Sequence, residues 1–186
     1  TNVARDFVEM PSQIFENWAW DYEALSLFAK HYKTGEILPK ELHQKMIEAK
    51  NVGSGLQVLQ QIFYGTLDMT YHDKYDPNGK TSTSELVKEL QNDITLYKFQ
   101  EGTQFEAGFG HLNGYAEGYY SYLWALVYAE DMFSVFKENG IMDQETGLKL
   151  KHVVLERGST IDEMEIVKEF LGRKPNEEAF LKSIGL

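Results

Sequence analysis

Asp6-Phe7-Val8-Glu9-Met10-Pro11-Ser12-Gln13, continued by Ile14, Phe15 and Trp18, sets the pattern that the rest of the chain follows. Phe7, Ile14, Phe15 and Trp18 recur at near-helical spacing. Pro11 lacks an N–H and its ring crowds the preceding turn, so it is expected to bend or break that helix. The periodicity continues downstream. Tyr22 to Ala29 reads as a second helix. Pro39-Lys40-Glu41-Leu42 opens a third, with Leu42, Met46 and Ile47 on one face. Ser54 is the expected cap of a fourth, whose broad apolar face holds Leu56, Leu59, Ile62, Phe63 and Leu67. Asp76-Pro77-Asn78-Gly79 is a turn, and Ser82 or Ser84 can cap the helix carrying Leu86, Val87, Leu90 and Ile94. An irregular glycine-bearing stretch, residues 101–114, precedes a long aromatic helix expected from about Tyr115 to Glu138 and stopped by Asn139-Gly140. Shorter helices finish the chain, the penultimate one ending near Gly172 and Pro175. No alternating strand pattern, internal repeat or linker breaks the series. The expected fold is all-α, a single multi-helical domain over residues 1–186.

Composition removes several functional classes. A chain of 186 residues with 42% hydrophobic and 13% aromatic content can bury a core and is not disordered. Lys plus Arg number 18 against 29 Asp plus Glu, a balance of −11. Phosphate binding needs a basic surface, so no nucleic-acid partner is expected. No apolar run reaches the length of a membrane span, so no membrane partner is expected either. The absence of cysteine removes disulfides and thiolate metal ligands and fits a reducing compartment, with the cytoplasm expected. The chain starts at Thr1 rather than Met, and its native N-terminus is expected upstream.

Two places concentrate chemistry. Glu9 is a carboxylate between Val8 and Met10; alone it is compatible with a solvated or ion-paired residue or with one ligand of a metal. Asp6 and Gln13 lie one turn either side of it and could hydrogen-bond a ligand set, or simply cap and pair. The second place is the run Gly108-Phe109-Gly110-His111-Leu112-Asn113-Gly114-Tyr115, followed by Tyr119 and Tyr122. On a helix, tyrosines spaced four and three apart put their hydroxyls on one face. Such a stripe can be plain packing with hydroxyls at a wet rim. Beside a glycine loop and a histidine, it can also gather donors for a developing oxyanion. His31, His43, His72 and His152 form no pair at helical metal-ligand spacing. His152 and Glu156 read as a surface contact.

These segments resemble the thimet oligopeptidase, oligopeptidase A and dipeptidyl carboxypeptidase family of zinc metallopeptidases. The match runs from Asn2 to Trp18, through the glycine–tyrosine segment, to Phe170-Leu171-Gly172-Arg173-Lys174-Pro175 near the end. The resemblance implies that the chain is the C-terminal part of a zincin-type catalytic domain. It also implies that Glu9 is the third zinc ligand. The other two would be histidines of an H-E-x-x-H helix, a motif absent from these residues and expected in a missing N-terminal part of the same enzyme. By the same resemblance Tyr122 hydrogen-bonds the tetrahedral intermediate and His111 binds near the scissile carbonyl. Tyr115, Tyr119, Gly110 and Gly114 would contact a peptide substrate. One departure is present: the family's H-x-x-G-G-Y spacing is a residue longer than His111-Leu112-Asn113-Gly114-Tyr115. The expected function is zinc-dependent hydrolysis of short peptides, with the isolated chain inactive. The alternative is a non-catalytic helical interaction module on the same scaffold.

Overall fold

Apolar repeats of helical period, punctuated by proline, glycine and capping side chains, should fold as a succession of helices. The computed structural model, which describes residues 2–186, has that form. In chain order the helices are α1 (Met10–Glu16), α2 (Tyr22–Phe28), α3 (Lys40–Lys50), α4 (Ser54–Asp73), α5 (Thr83–Ile94), α6 (Phe105–Gly108), α7 (Ser121–Asn139), α8 (Gln144–Lys149), α9 (Glu163–Leu171) and α10 (Glu178–Ser183). Turns of 3₁₀ helix occupy Asn17–Ala19 and Gly110–Asn113, and Leu150–Leu155 is π-helical. Among the described residues extended pairing is limited to one antiparallel bridge, Lys30 with Ile37. The all-α expectation holds.

Several local signals act as read. Ser82 accepts from the Glu85 N–H while the Glu85 carboxylate reaches back to the Ser82 N–H, a capping box at the start of α5. Pro39 takes the N-cap position of α3. Gly140 at φ 120 follows α7, and Gly172 at φ 71 closes α9 in the left-handed conformation that glycine adopts without strain.

Three boundaries differ. Pro11 does not bend a helix; it lies in the first turn of α1, where the missing N–H has no intrahelical partner to lose. Ser54 is the first residue of α4 rather than its cap, and Gly53 at φ 78 precedes it as N-cap. The aromatic helix α7 begins at Ser121, well after Tyr115. Gly114 and Gly118 each disfavour helix by about 1 kcal/mol relative to alanine. Glu117 stands at φ 50, which no right-handed helix contains.

The chain comprises two compact units, residues up to Val52 together with Trp124–Leu186, and Gly53–Leu123. In the first, Phe7, Met10 and Ile14 pack in one core with Met132, Phe133 and Phe136 of α7 and Ile166 and Phe170 of α9. The edge of Trp18 meets Phe133 and Phe136, each at 4.8 Å between centroids, and its Nε1 donates to the Ile141 carbonyl at 2.9 Å. Adjacent buried carboxylates on α7 tie down two further segments. Glu130 Oε1 accepts from Asn17 Nδ2 at 3.2 Å. Asp131, 1% exposed, accepts from Arg173 Nη1 at 2.8 Å, from Nη2, and from the Asn176 N–H at 2.9 Å. The closing Gly172-Arg173-Lys174-Pro175 signature is thus anchored by a bidentate guanidinium–carboxylate pair. In the second unit Phe63 and Leu67 of α4 and Leu86 and Val87 of α5 share a core with Phe109 and Tyr119.

Hydrogen bonds to a charged acceptor contribute about 1.5–3 kcal/mol. Asp131→Asn, which keeps the shape and removes the charge, is expected to destabilise the protein by about 2 kcal/mol. The reading is a lower urea midpoint at unchanged slope; an unchanged midpoint would mean that the guanidinium pair contributes nothing.

Candidate functional site

Residues four, three and four positions apart share one face of a helix. On α4 that stripe is Gln61, Gly65, Asp68 and His72. Asp68 is 1% exposed, and a carboxylate withdrawn from water has to be hydrogen-bonded. Its donors are main-chain: the Glu117 N–H reaches Oδ1 at 3.0 Å and the Tyr119 N–H reaches Oδ2 at 2.9 Å. His72 Nδ1 lies 2.7 Å from the Asp68 carbonyl oxygen and 3.3 Å from Oδ1. A carbonyl only accepts, so Nδ1 carries the hydrogen. Gly65 allows the loop to approach, since a Cβ there would already touch the Tyr120 Cα at 3.4 Å. Gln61 Oε1 accepts from the Tyr119 hydroxyl at 3.1 Å. Left-handed backbone costs a non-glycine residue such as Glu117 about 1–2 kcal/mol. Two charge-assisted hydrogen bonds, about 1.5–3 kcal/mol each, outweigh that strain.

The loop held in this way presents an aromatic cluster. His111, on the 3₁₀ turn, stands nearly perpendicular to Tyr119, Tyr122 and Tyr115, with centroids at 4.9, 5.8 and 6.1 Å. Tyr115 and Tyr122 stack at 5.4 Å, and Tyr119 meets Tyr122 edge-on at 5.1 Å. The three hydroxyls point differently. That of Tyr119 donates to Gln61. That of Tyr115 meets Ser121 Oγ at 3.1 Å. The Tyr122 hydroxyl faces His111 Nε2 at 3.4 Å, a loose contact. Only Tyr122 sits on α7; Tyr115 and Tyr119 belong to the loop, so the expected single helical stripe is replaced by a loop that folds the same rings together. Gly110 and Gly114 flank His111, and a methyl at either would meet nothing within 4 Å. The packing of this chain therefore does not require glycine at either position.

Glu9 belongs to the first unit and the cluster to the second. Half-buried, Glu9 is the N-cap residue of α1. Its carbonyl accepts from the Ser12 hydroxyl at 2.8 Å and the Gln13 N–H at 3.1 Å. Asp6, also half-buried, lies in the turn that leads into it. Among the described residues no three His, Cys, Asp or Glu side chains come together as a metal cage. Glu9 fits zinc as one carboxylate donor, but a catalytic zinc takes three protein ligands. His152 and Glu156 form the exposed surface pair read from their spacing, Nδ1 to Oε2 at 2.7 Å.

The Gln61–Asp68–His72 stripe matches no motif or ligand spacing in the sequence. Its signal was a carboxylate next to Leu67, on the apolar side of a long helix, where a charge needs a reason.

The family model described as Peptidase family M3 matches residues 1–186, and the chain belongs to that family. It is 40% identical over 188 residues to oligopeptidase A of Salmonella typhimurium, covering 100% of this chain and 28% of that protein. Identity to the thimet-like oligopeptidase of Dictyostelium discoideum is 40% over 189 residues, again 100% of this chain and 28% of the relative. Saccharolysin of Saccharomyces cerevisiae is 38% identical over 190 residues, 100% of this chain and 26% of that protein. The chain spans about a quarter of the length of these curated relatives. No helix among the described residues is long and apolar enough to cross a membrane.

Burial holds the Tyr119 phenol above its ordinary value of 10.0. Tyr71 and Tyr128 are raised chiefly by burial too. A raised folded value means that this stabilisation is fully present below about pH 10 and is lost as pH rises through the folded pKa. Alkaline difference spectra should therefore show a class of late-ionising phenols, one fewer in Tyr119→Phe. A single class titrating near the ordinary value would contradict this.

Proposed function

We propose that this chain supplies one zinc ligand and the oxyanion donors of a peptidase that cuts short peptides. The observation that carries the reading is the direction of the hydroxyls: those of Tyr119 and Tyr115 meet Gln61 and Ser121, and that of Tyr122 faces His111. A phenol O–H and an imidazole side by side suit a carbonyl oxygen that gains negative charge as a tetrahedral intermediate forms. Donors that strengthen only as charge develops lower the barrier rather than merely tightening binding. In this reading Tyr122 and His111 hold that oxygen. Tyr119 and Tyr115 pack against the Tyr122 ring and contact the peptide with the clear surface at Gly110 and Gly114.

Glu9 would hold zinc through a carboxylate oxygen. Its two further ligands, both histidine, would come from outside this chain, in the remainder of the enzyme, because the described residues bring no three donors together. The ion supplies Lewis acidity at the scissile carbonyl when bound. The names of the relatives, oligopeptidase A and thimet-like oligopeptidase, support oligopeptides as the substrate class. Cytoplasmic placement rests on the lack of cysteine and on a relative called probable cytosolic oligopeptidase A, in Arabidopsis thaliana. With one donor the isolated 186 residues bind zinc weakly and hydrolyse nothing, and activity requires the upstream part.

Two variants of the complete enzyme separate the roles. Glu9→Gln is expected to lose zinc and activity together, read by metal analysis beside turnover of a quenched fluorescent peptide. Tyr122→Phe should keep its zinc and its stability while turnover falls by roughly two to three orders of magnitude, as when one oxyanion donor is removed. Near-normal turnover in Tyr122→Phe with full zinc would show that the hydroxyl only packs.

A further inference from the structure

The buried carboxylate on α4 has no part in the chemistry above, yet its acceptors meet the loop at two points just ahead of Tyr122. Oδ1 takes the Glu117 N–H and Oδ2 the Tyr119 N–H, so one rigid carboxylate spans a left-handed residue and the turn that leads into α7. The Tyr119 hydroxyl is in turn held by Gln61, two turns before Asp68 on the same face of α4, and the chain then enters the helix with Tyr122 in its first turn. We infer that Asp68 is a positioning residue for this site: it fixes the loop register that aims the Tyr122 hydroxyl at His111. The inference rests on the catalytic reading of Tyr122 given above.

Several features set this role apart from general core stability. Asp68 bonds to backbone rather than to a side chain, so it fixes main-chain direction whatever the loop residues are. The pair of N–H donors is two positions apart, which a carboxylate can hold through its two oxygens and an amide cannot. In Asp68→Asn one of the two backbone donors would face an NH₂ group, a donor opposite a donor. The position of Gly65 agrees, since it lets the Tyr120 backbone lie against the same helix face. His72 Nδ1 bonds the Asp68 main-chain carbonyl at 2.7 Å and lies 3.3 Å from Oδ1, so the imidazole packs beside the carboxylate.

The complete enzyme provides the test, in two measurements. Residue-resolved hydrogen exchange reads the two amides without reference to activity. In the wild type the Glu117 and Tyr119 amides should be protected well beyond their loop neighbours. Asp68→Asn should raise their exchange at least tenfold, while α5 keeps its protection. Turnover is then compared in a double-mutant cycle. Asp68→Asn should lower kcat about tenfold in the wild type but less than threefold in a Tyr122→Phe background, because the hydroxyl it positions is already gone. A structural role alone would give the same factor in both backgrounds and would overturn the inference. So would wild-type Glu117 and Tyr119 amides that exchange as fast as an open peptide, a result available even if Asp68→Asn does not fold. Failure of the underlying catalytic reading looks different: Tyr122→Phe retains full turnover before Asp68 is altered.

Discussion

A buried carboxylate must find donors, and at Asp68 the donors are two backbone N–H groups of a loop rather than side chains. That single satisfaction requirement organises the second unit. It keeps Glu117 in a conformation that a non-glycine residue otherwise avoids, and it delivers the chain into α7 with Tyr122 in the first turn. Around it the stripe on α4 assigns one job to each position. Gln61 takes the Tyr119 hydroxyl, Gly65 admits the loop backbone, and His72 bonds the Asp68 main-chain carbonyl. The aromatic rings then stack and cross where this backbone path places them, and their mutual packing adds to a geometry already fixed by polar contacts.

The first unit uses the same chemistry for a different end. Asp131 is as buried as Asp68 and also accepts from a main-chain N–H, but its principal partner is the Arg173 guanidinium. There the carboxylate joins distant stretches of sequence, α7 and the segment after α9. Neighbouring Glu130 joins α7 to Asn17. A like residue type therefore anchors architecture in one unit and backbone direction at a candidate site in the other. The difference lies in the partner: a long side-chain cation on one hand, two N–H groups fixed in the main chain of one loop on the other.

Much of this was legible in the residues. Helical spacing gave the fold class, Ser82 and Glu85 announced their capping box, and the three family-like segments pointed to the peptidase family to which the chain belongs. The histidine and tyrosines were legible as a group, because glycines beside aromatic residues mark backbone that is not ordinary helix. Their arrangement was not. Spacing of four and three suggested one helical stripe, yet Gly118 and the left-handed Glu117 interrupt it. The two long-range hydrogen bonds that Asp68 accepts decide that outcome, and local propensity carries no information about them. Asp68 is not distinguished by spacing, since a lone carboxylate in a helix is usually solvated. Only its neighbours Leu67 and Gly65 hinted that it faced inward. Pro11 illustrates the reverse error: the same ring that breaks a helix interior is well suited to a first turn.

Glu9 and Tyr122 carry the two proposed roles, one toward the metal and one toward the developing oxyanion. The direct measurement is a crystal structure of the complete enzyme with zinc and a phosphinic peptide, whose tetrahedral phosphorus imitates the intermediate. The account predicts a Glu9 carboxylate oxygen on the ion, at about 2.0–2.2 Å. It also predicts the Tyr122 hydroxyl within about 2.7–3.1 Å of a phosphinyl oxygen. A phosphinyl group bound to zinc with Tyr122 out of hydrogen-bond reach, or an ion ligated without Glu9, would contradict it.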